Sequence, residues 1–257
     1  MNPATTSTQL TTQGKWLRFA LVGFPVGLVL LGAASFWIYF GKKERAEKRT
    51  YQHALALRRD VGASDIARYL SILGDTAKLS PEERRQTIAS YTESTLGAEN
   101  MGYDLKKEVH VDRGLERISF RVSLEGTRRP SDVVLVFAGY GDAQSADDSA
   151  LAVLFSEAHA MTGEPRIKTV QFAVLDASVG AVQPAFDRLE YELHKTGDRI
   201  VRLIAIGASA RRVADEWSRN PASGPVTVIP ASSSNADELK AEADGLQKVI
   251  VDAADKL

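Results

Sequence analysis

The sequence predicts an α/β protein: a three-layer sandwich with a central mixed, largely parallel sheet, preceded by one transmembrane helix. Three observations predict it. Short, nearly continuous apolar runs at residues 133–137, 170–175 and 200–206 suit central strands covered on both faces. Helical patterns at 150–161 and around 182–196 separate those runs, and strand–helix alternation places helices on both sides of a sheet. Ahead of all of this stands an uncharged, apolar stretch at residues 19–40.

That stretch organises the N-terminal part. Residues 1–15 are rich in Ser, Thr and Gln and read as a disordered tail. Residues 16–40 read as the transmembrane helix. As a helix the apolar run would be roughly 33 Å long, close to the thickness of a hydrocarbon core. Trp16 lies before it, and Trp37 and Tyr39 close it, as interfacial aromatics do. A cleaved signal peptide is the competing reading, but its apolar core would be shorter and no clean small-x-small site precedes the charged segment. Residues 41–62 read as a charged stalk. Gly23, Gly27 and Gly32 place small residues where a second transmembrane helix could approach closely.

The remaining residues, 63–257, form the α/β domain. Ser64 can cap a helix that carries Ile66, Tyr69, Leu70 and Leu73. Ser80-Pro81-Glu82-Glu83 is a helix start with a capping serine, a first-turn proline and a glutamate three residues on; the helix carries Ile88 and Tyr91 and ends near Gly97. Residues 103–111 and 118–124 alternate apolar and polar side chains, as half-buried strands do. Arg128-Arg129-Pro130 reads as a turn before the central strand. Residues 225–230 read as a further strand. A terminal amphipathic helix spans 236–257, with Leu239, Leu246, Val249, Ile250, Ala253 and Leu257 on one side.

The net charge of −1 gives no field that would gather nucleic acid, and the pairs Arg84-Arg85 and Arg128-Arg129 read as solvated surface. With no cysteine, the chain has no disulfide, no thiolate metal ligand and no thiol nucleophile.

Three stretches carry a resemblance. Residues 133–142 read Val-Val-Leu-Val-Phe-Ala-Gly-Tyr-Gly-Asp, residues 145–150 read Ser-Ala-Asp-Asp-Ser-Ala, and residues 170–180 read Val-Gln-Phe-Ala-Val-Leu-Asp-Ala-Ser-Val-Gly. In order and spacing they resemble the di-zinc aminopeptidase family, whose relatives include glutaminyl cyclases and the transferrin-receptor and nicastrin ectodomains. Members of that family read Ala-His-Tyr-Asp, Gly-Ala-Asp-Asp-Asn and Asp-Ala-Glu-Glu-x-Gly at these places.

The resemblance implies a site whose metal chemistry has been lost. A di-zinc hydrolase needs two metals held by His and carboxylate ligands, one bridging carboxylate, and a Glu as general base. The family's histidine ligand falls on Gly139 and its neighbouring aspartate on Gly141, with Asp142 one residue later. Asp147 matches the bridging aspartate and Asp148 its neighbour. Asp176 matches the family's Asp, while the two glutamates fall on Ser178 and Val179. The ligand aspartate of the next strand falls near Ala205, and no histidine follows His194 to supply the last ligand. The resemblance therefore implies neither metal nor other cofactor, and no catalytic residue. Asp142, Asp147 and Asp148 could bind a cation weakly or cap a helix starting near Ser149. His53, His110, His159 and His194 lack i, i+4 partners and read as structural or exposed. Ser178 lacks the surroundings of a serine nucleophile.

The functional expectation is a membrane-anchored, non-catalytic peptidase-like domain that binds, as a scaffold or accessory subunit of a membrane complex. Its partners would be the lipid bilayer and other membrane subunits, and not nucleic acid. Two alternatives stand beside it: an active zinc aminopeptidase with relocated ligands, and a peptide or small-ligand receptor using the vacated cleft. Lys42, Lys43, Arg45, Lys48 and Arg49 after the span, against Lys15 and Arg18 before it, favour a cytoplasmic domain. The resemblance points the other way and tips the expectation towards the extracytoplasmic side.

Overall fold

In the computed structural model the described residues are 55–58, 60–112, 114–141, 145–178, 182–220 and 223–256. The expected tail, the transmembrane helix with Gly23, Gly27 and Gly32, residues 41–54 and 59 of the stalk (His53 among them), and Asp142, Val179 and Leu257 lie outside them. Among the described residues no helix is long and apolar enough to cross a membrane.

A six-stranded sheet organises the domain. Its strands are β1 (Lys106–Asp112), β2 (Leu115–Leu124), β3 (Gly126–Tyr140), β4 (Arg166–Asp176), β5 (Arg199–Ile206) and β6 (Val226–Ile229), in the spatial order β1-β2-β4-β3-β5-β6. Strands β4, β3, β5 and β6 run parallel, and β2 is antiparallel to both β1 and β4. The sheet is thus mixed and mostly parallel.

Six α-helices are described: α1 (Ala63–Asp75), α2 (Pro81–Leu96), α3 (Ser145–Ala160), α4 (Val182–Thr196), α5 (Gly207–Trp217) and α6 (Ala236–Asp255). Alternation along β3 sends Val134, Val136, Ala138 and Tyr140 into one core with α1, α2, α3 and α6. Val133, Leu135 and Phe137 enter a second core with α4 and α5. That is why the central strands read as unbroken apolar runs: both faces are covered. Helix α3 is the most enclosed, with residues 147–159 all buried. A helix buried on every side packs among the other elements of the core, and its buried polar residues, Asp147, Asp148, Ser149, Ser156, Glu157 and His159, lie toward its two ends.

Local chemistry accounts for most boundaries. Ser80 accepts the Glu83 amide at 3.4 Å and Glu83 accepts the Ser80 amide at 3.1 Å, closing the expected capping box of α2. Helix α1 begins earlier than expected. Its N-cap is Gly62, not Ser64, because the Asp65 carboxylate accepts the Gly62 amide at 3.0 Å. Residues 128–130 are not a turn. They lie inside β3, where the ladder shifts register on either side of Arg129, and this irregularity accommodates a proline that cannot donate. Helix α5 has no counterpart in the expectation. Its buried positions Ala210, Val213 and Ala214, with Trp217 packed alongside, have helical spacing, but alanines make that stripe faint in sequence.

Glu157 on α3 is 2% exposed, and its Oε2 has no hydrogen-bond partner. Burial raises its pKa to about 8, against the opposing pull of Lys240 and with a further push from Asp244. The folded protein therefore holds a proton that the unfolded chain releases near its ordinary value of 4.5. This contribution to stability is full below about pH 4.5 and is lost as pH rises through about 8. Thermal melts should fall across that window in the parent and fall less in Glu157→Gln, which should also melt several degrees higher at pH 8.

Candidate functional site

The chain leaves β3 through α3 to β4 on one side, then passes through α4 to β5 on the other. The carboxyl end of β3 is thus a topological switch point, where open α/β sheets leave a crevice. Register sets Gly139 beside Leu175, Tyr140 beside Asp176, and Phe137 beside Ala205. Asp147 and Asp148 stand in the first turn of α3 just beyond. The structure brings Gly139, Gly141, Asp147, Asp148, Asp176 and Ser178 to this end of the sheet. Ala205 instead sits within β5, buried against the opposite core.

The position matched to the family's histidine has no room for a side chain. A Cβ built on Gly139 would lie 2.7 Å from the Ala177 Cβ and 2.8 Å from the Ser209 Cβ. The contact with Ser209 comes from α5, whose first turn sits on the switch point. Gly141 has φ +104°, a backbone that side chains rarely adopt, and a Cβ there would meet Asp176 Oδ1 at 3.3 Å.

Each carboxylate at the site has a partner from the protein. Ser209 Oγ donates to Asp147 Oδ1 at 2.6 Å. Arg84 donates to both oxygens of Asp148, at 2.7 and 2.8 Å, and its Nε donates to Thr76 at 3.1 Å. Burial pushes the Asp148 pKa up, and the Arg84 charge and hydrogen bonds oppose that push. Asp176 is wholly buried and accepts the Ser178 amide at 3.0 Å. Arg117 lies 3.5 Å from its Oδ1 and Arg85 3.7 Å from its Oδ2. The Ser178 hydroxyl bonds both Asp176 and Arg117. Arg85 is held in turn by both oxygens of Glu82, at 2.7 and 2.6 Å, and those bonds lower the Glu82 pKa. Burial first, and then the Asp176 charge, raise the pKa of Tyr140, whose hydroxyl donates to the Ile118 carbonyl at 2.6 Å.

These residues do not fit a pair of zinc ions. The histidine position is closed by the side chains of Ala177 and Ser209, and Asp148 and Asp176 already face guanidinium groups. Among the described residues no three His, Asp or Glu side chains come together as a metal-binding group. The described histidines have other surroundings: His159 lies 3.5 Å from the Tyr69 hydroxyl and 3.3 Å from the Leu57 carbonyl, His110 is in β1, and exposed His194 lies 3.7 Å from Glu190.

Two sequence expectations need correction. Asp147 and Asp148 do not cap a helix at Ser149, because α3 begins at Ser145 and both lie inside its first turn. Their charge still suits the helix N-terminus. Arg84 and Arg85 are not solvated surface but 5% and 7% exposed. Their position is legible in retrospect. Arg84 and Arg85 precede Ile88 and Ala89 by four residues, so they lie on the buried stripe of α2. Ser209 and Arg117 carried no comparable signal.

Comparison with solved structures concerns the fold alone. A putative zinc-dependent exopeptidase from Bacteroides vulgatus is similar over 77% of this chain and 97% of its own, at 12% identity and a TM-score of 0.50. A glutaminyl cyclase from Fimbriiglobus ruber is similar over 58% of this chain at 14% identity and a TM-score of 0.47. The chain spans 62% of the length of that cyclase. No family model and no curated protein matches the sequence. The fold is peptidase-like.

A cleft of about 240 Å³ opens beside Asp176, with Glu82, Arg85, Glu116 and Tyr140 among its lining residues. Removing Arg84 would leave Asp148 buried without its cation. Arg84→Met should lower stability by about 3–5 kcal/mol, and Arg84→Met with Asp148→Leu should recover most of that loss. Urea unfolding of the parent, both single variants and the double variant measures this coupling.

Proposed function

We propose that this is a membrane-anchored peptidase-like domain without peptidase chemistry, which acts by binding as an accessory or scaffold subunit of a membrane complex. The observation that carries the reading is the occupation of the family's metal positions. Gly139 is closed by Ala177 and Ser209, and arginines face Asp148 and Asp176. Hydrolysis of a peptide bond at neutral pH needs an activated water and a base to take its proton. Ser178 stands at the position of one family glutamate and is tied to Asp176 and Arg117. The apolar run at 19–40 supports the anchor, and the family's usual setting favours the extracytoplasmic side.

A receptor role has one observation in its favour. The cleft beside Asp176 is open at the switch point and mixes charged groups with Ile118, Ala89 and Tyr140. At about 240 Å³ the cleft has room for a small ligand or for one side chain of a peptide.

The test is purification of the full chain from its native membrane in mild detergent, with aminopeptidase and glutaminyl cyclase assays on the product. The expected result is recovery in a complex larger than the chain, with no turnover above background. Recovery as a lone chain at native abundance would refute the subunit reading. Chelator-sensitive turnover would establish the relocated-ligand alternative instead.

A further inference from the structure

Strand β1 is the edge of the sheet, and among the described strands it pairs only with β2. Its sequence is Lys-Lys-Glu-Val-His-Val-Asp. Val109 and Val111 are 47% and 73% exposed, among the few exposed large apolar side chains of the described residues. No other described strand pairs with its outer side, and a sheet edge that carries exposed apolar side chains is a template for another strand.

The order of charges along β1 selects what that strand is. Two copies related by a two-fold axis through the sheet pair antiparallel, with like faces aligned, so each register is centred on one residue. Centring on Glu108 sets two glutamates against each other. Centring on His110 sets Glu108 opposite Asp112. Centring on Val109 sets Val109 opposite Val109, Glu108 opposite His110, and Lys107 opposite Val111. It also brings position 106, a lysine, opposite position 112, an aspartate. This register pairs the whole strand and puts no like charges opposite each other, and cross-strand pairs of these kinds favour association. On the apolar face, Lys107 is already drawn towards Glu93 at 2.7 Å and lies over the Phe120 ring, so its stem can cover the partner's Val111.

We infer that the chain forms a homodimer by antiparallel pairing of β1 with β1 of a second copy, centred on Val109, which joins two six-stranded sheets into one. The inference is independent of the site's chemistry. A bound subunit, a receptor or an active enzyme could each dimerise this way.

The full chain contains no cysteine, so single cysteines report the register directly. Residues directly opposite in antiparallel strands have Cα atoms about 4.5–5.5 Å apart, within the range that a disulfide spans. Under mild oxidation, Val109→Cys should yield a disulfide-linked dimer. Val111→Cys alone should not, because the two copies of residue 111 are offset by about 13 Å along the strands. A mixture of Lys107→Cys and Val111→Cys chains should cross-link as the mixed pair. Sedimentation should give a dimer mass for the parent and a monomer mass for Val109→Lys, with an unchanged melting curve at low concentration. A parent that sediments as a monomer overturns the inference. Equal cross-linking of all three single-cysteine chains overturns it too, since that pattern marks random encounter and not a register.

Discussion

A carboxylate removed from water needs a cation or donated hydrogen bonds, and this requirement shapes the carboxyl end of the sheet. Asp148 and Asp176 are buried, as is Asp147. In a zinc peptidase, metal ions would supply the compensating charge. In this chain guanidinium groups supply it: Arg84 to Asp148, and Arg85 with Arg117 to Asp176. Arginine suits the task because its planar fork stays charged and can grip both carboxylate oxygens. These contacts tie the three carboxylates to neighbouring side chains of the protein.

The fold makes this exchange possible by bringing distant segments to one place. Arg84 and Arg85 come from α2, Arg117 from β2, Asp148 from α3 and Asp176 from β4. The parallel strands β3 and β4 fix Tyr140 beside Asp176, and the α5 turn presses Ser209 onto Gly139 and Asp147. The same contacts that neutralise the carboxylates therefore tie helices on both faces to the sheet. Buried ion pairs of this type contribute little net stability compared with apolar packing, but breaking one partner is costly.

Much of the fold is visible in the sequence because burial on both faces leaves unbroken apolar runs, and because the α2 cap has an unmistakable chemistry at Ser80 and Glu83. Helix α5 is not visible, since small residues at Gly207, Ala210 and Ala214 satisfy close packing without a strong hydrophobic stripe. The start of α3 is displaced for a similar reason. Its polar first turn, Ser145 to Ser149, looks like a loop until the helix is seen to begin within it. At the site, motif spacing locates Gly139, Asp147, Asp148 and Asp176. It cannot supply Arg117 or Ser209, which arrive through tertiary contacts across long sequence separations.

If arginines have taken over the charge compensation, folding is independent of zinc. A ligand that binds only the folded state raises the melting temperature in proportion to the logarithm of its concentration over its dissociation constant. The direct measurement is a thermal melt of the purified full chain after exhaustive chelation, repeated with micromolar zinc. Superimposable curves are expected. A rise of several degrees with zinc, abolished in Asp147→Asn and Asp147→Ala alike, would contradict it, because it would place a specific metal at the carboxylates assigned here to serine and arginine.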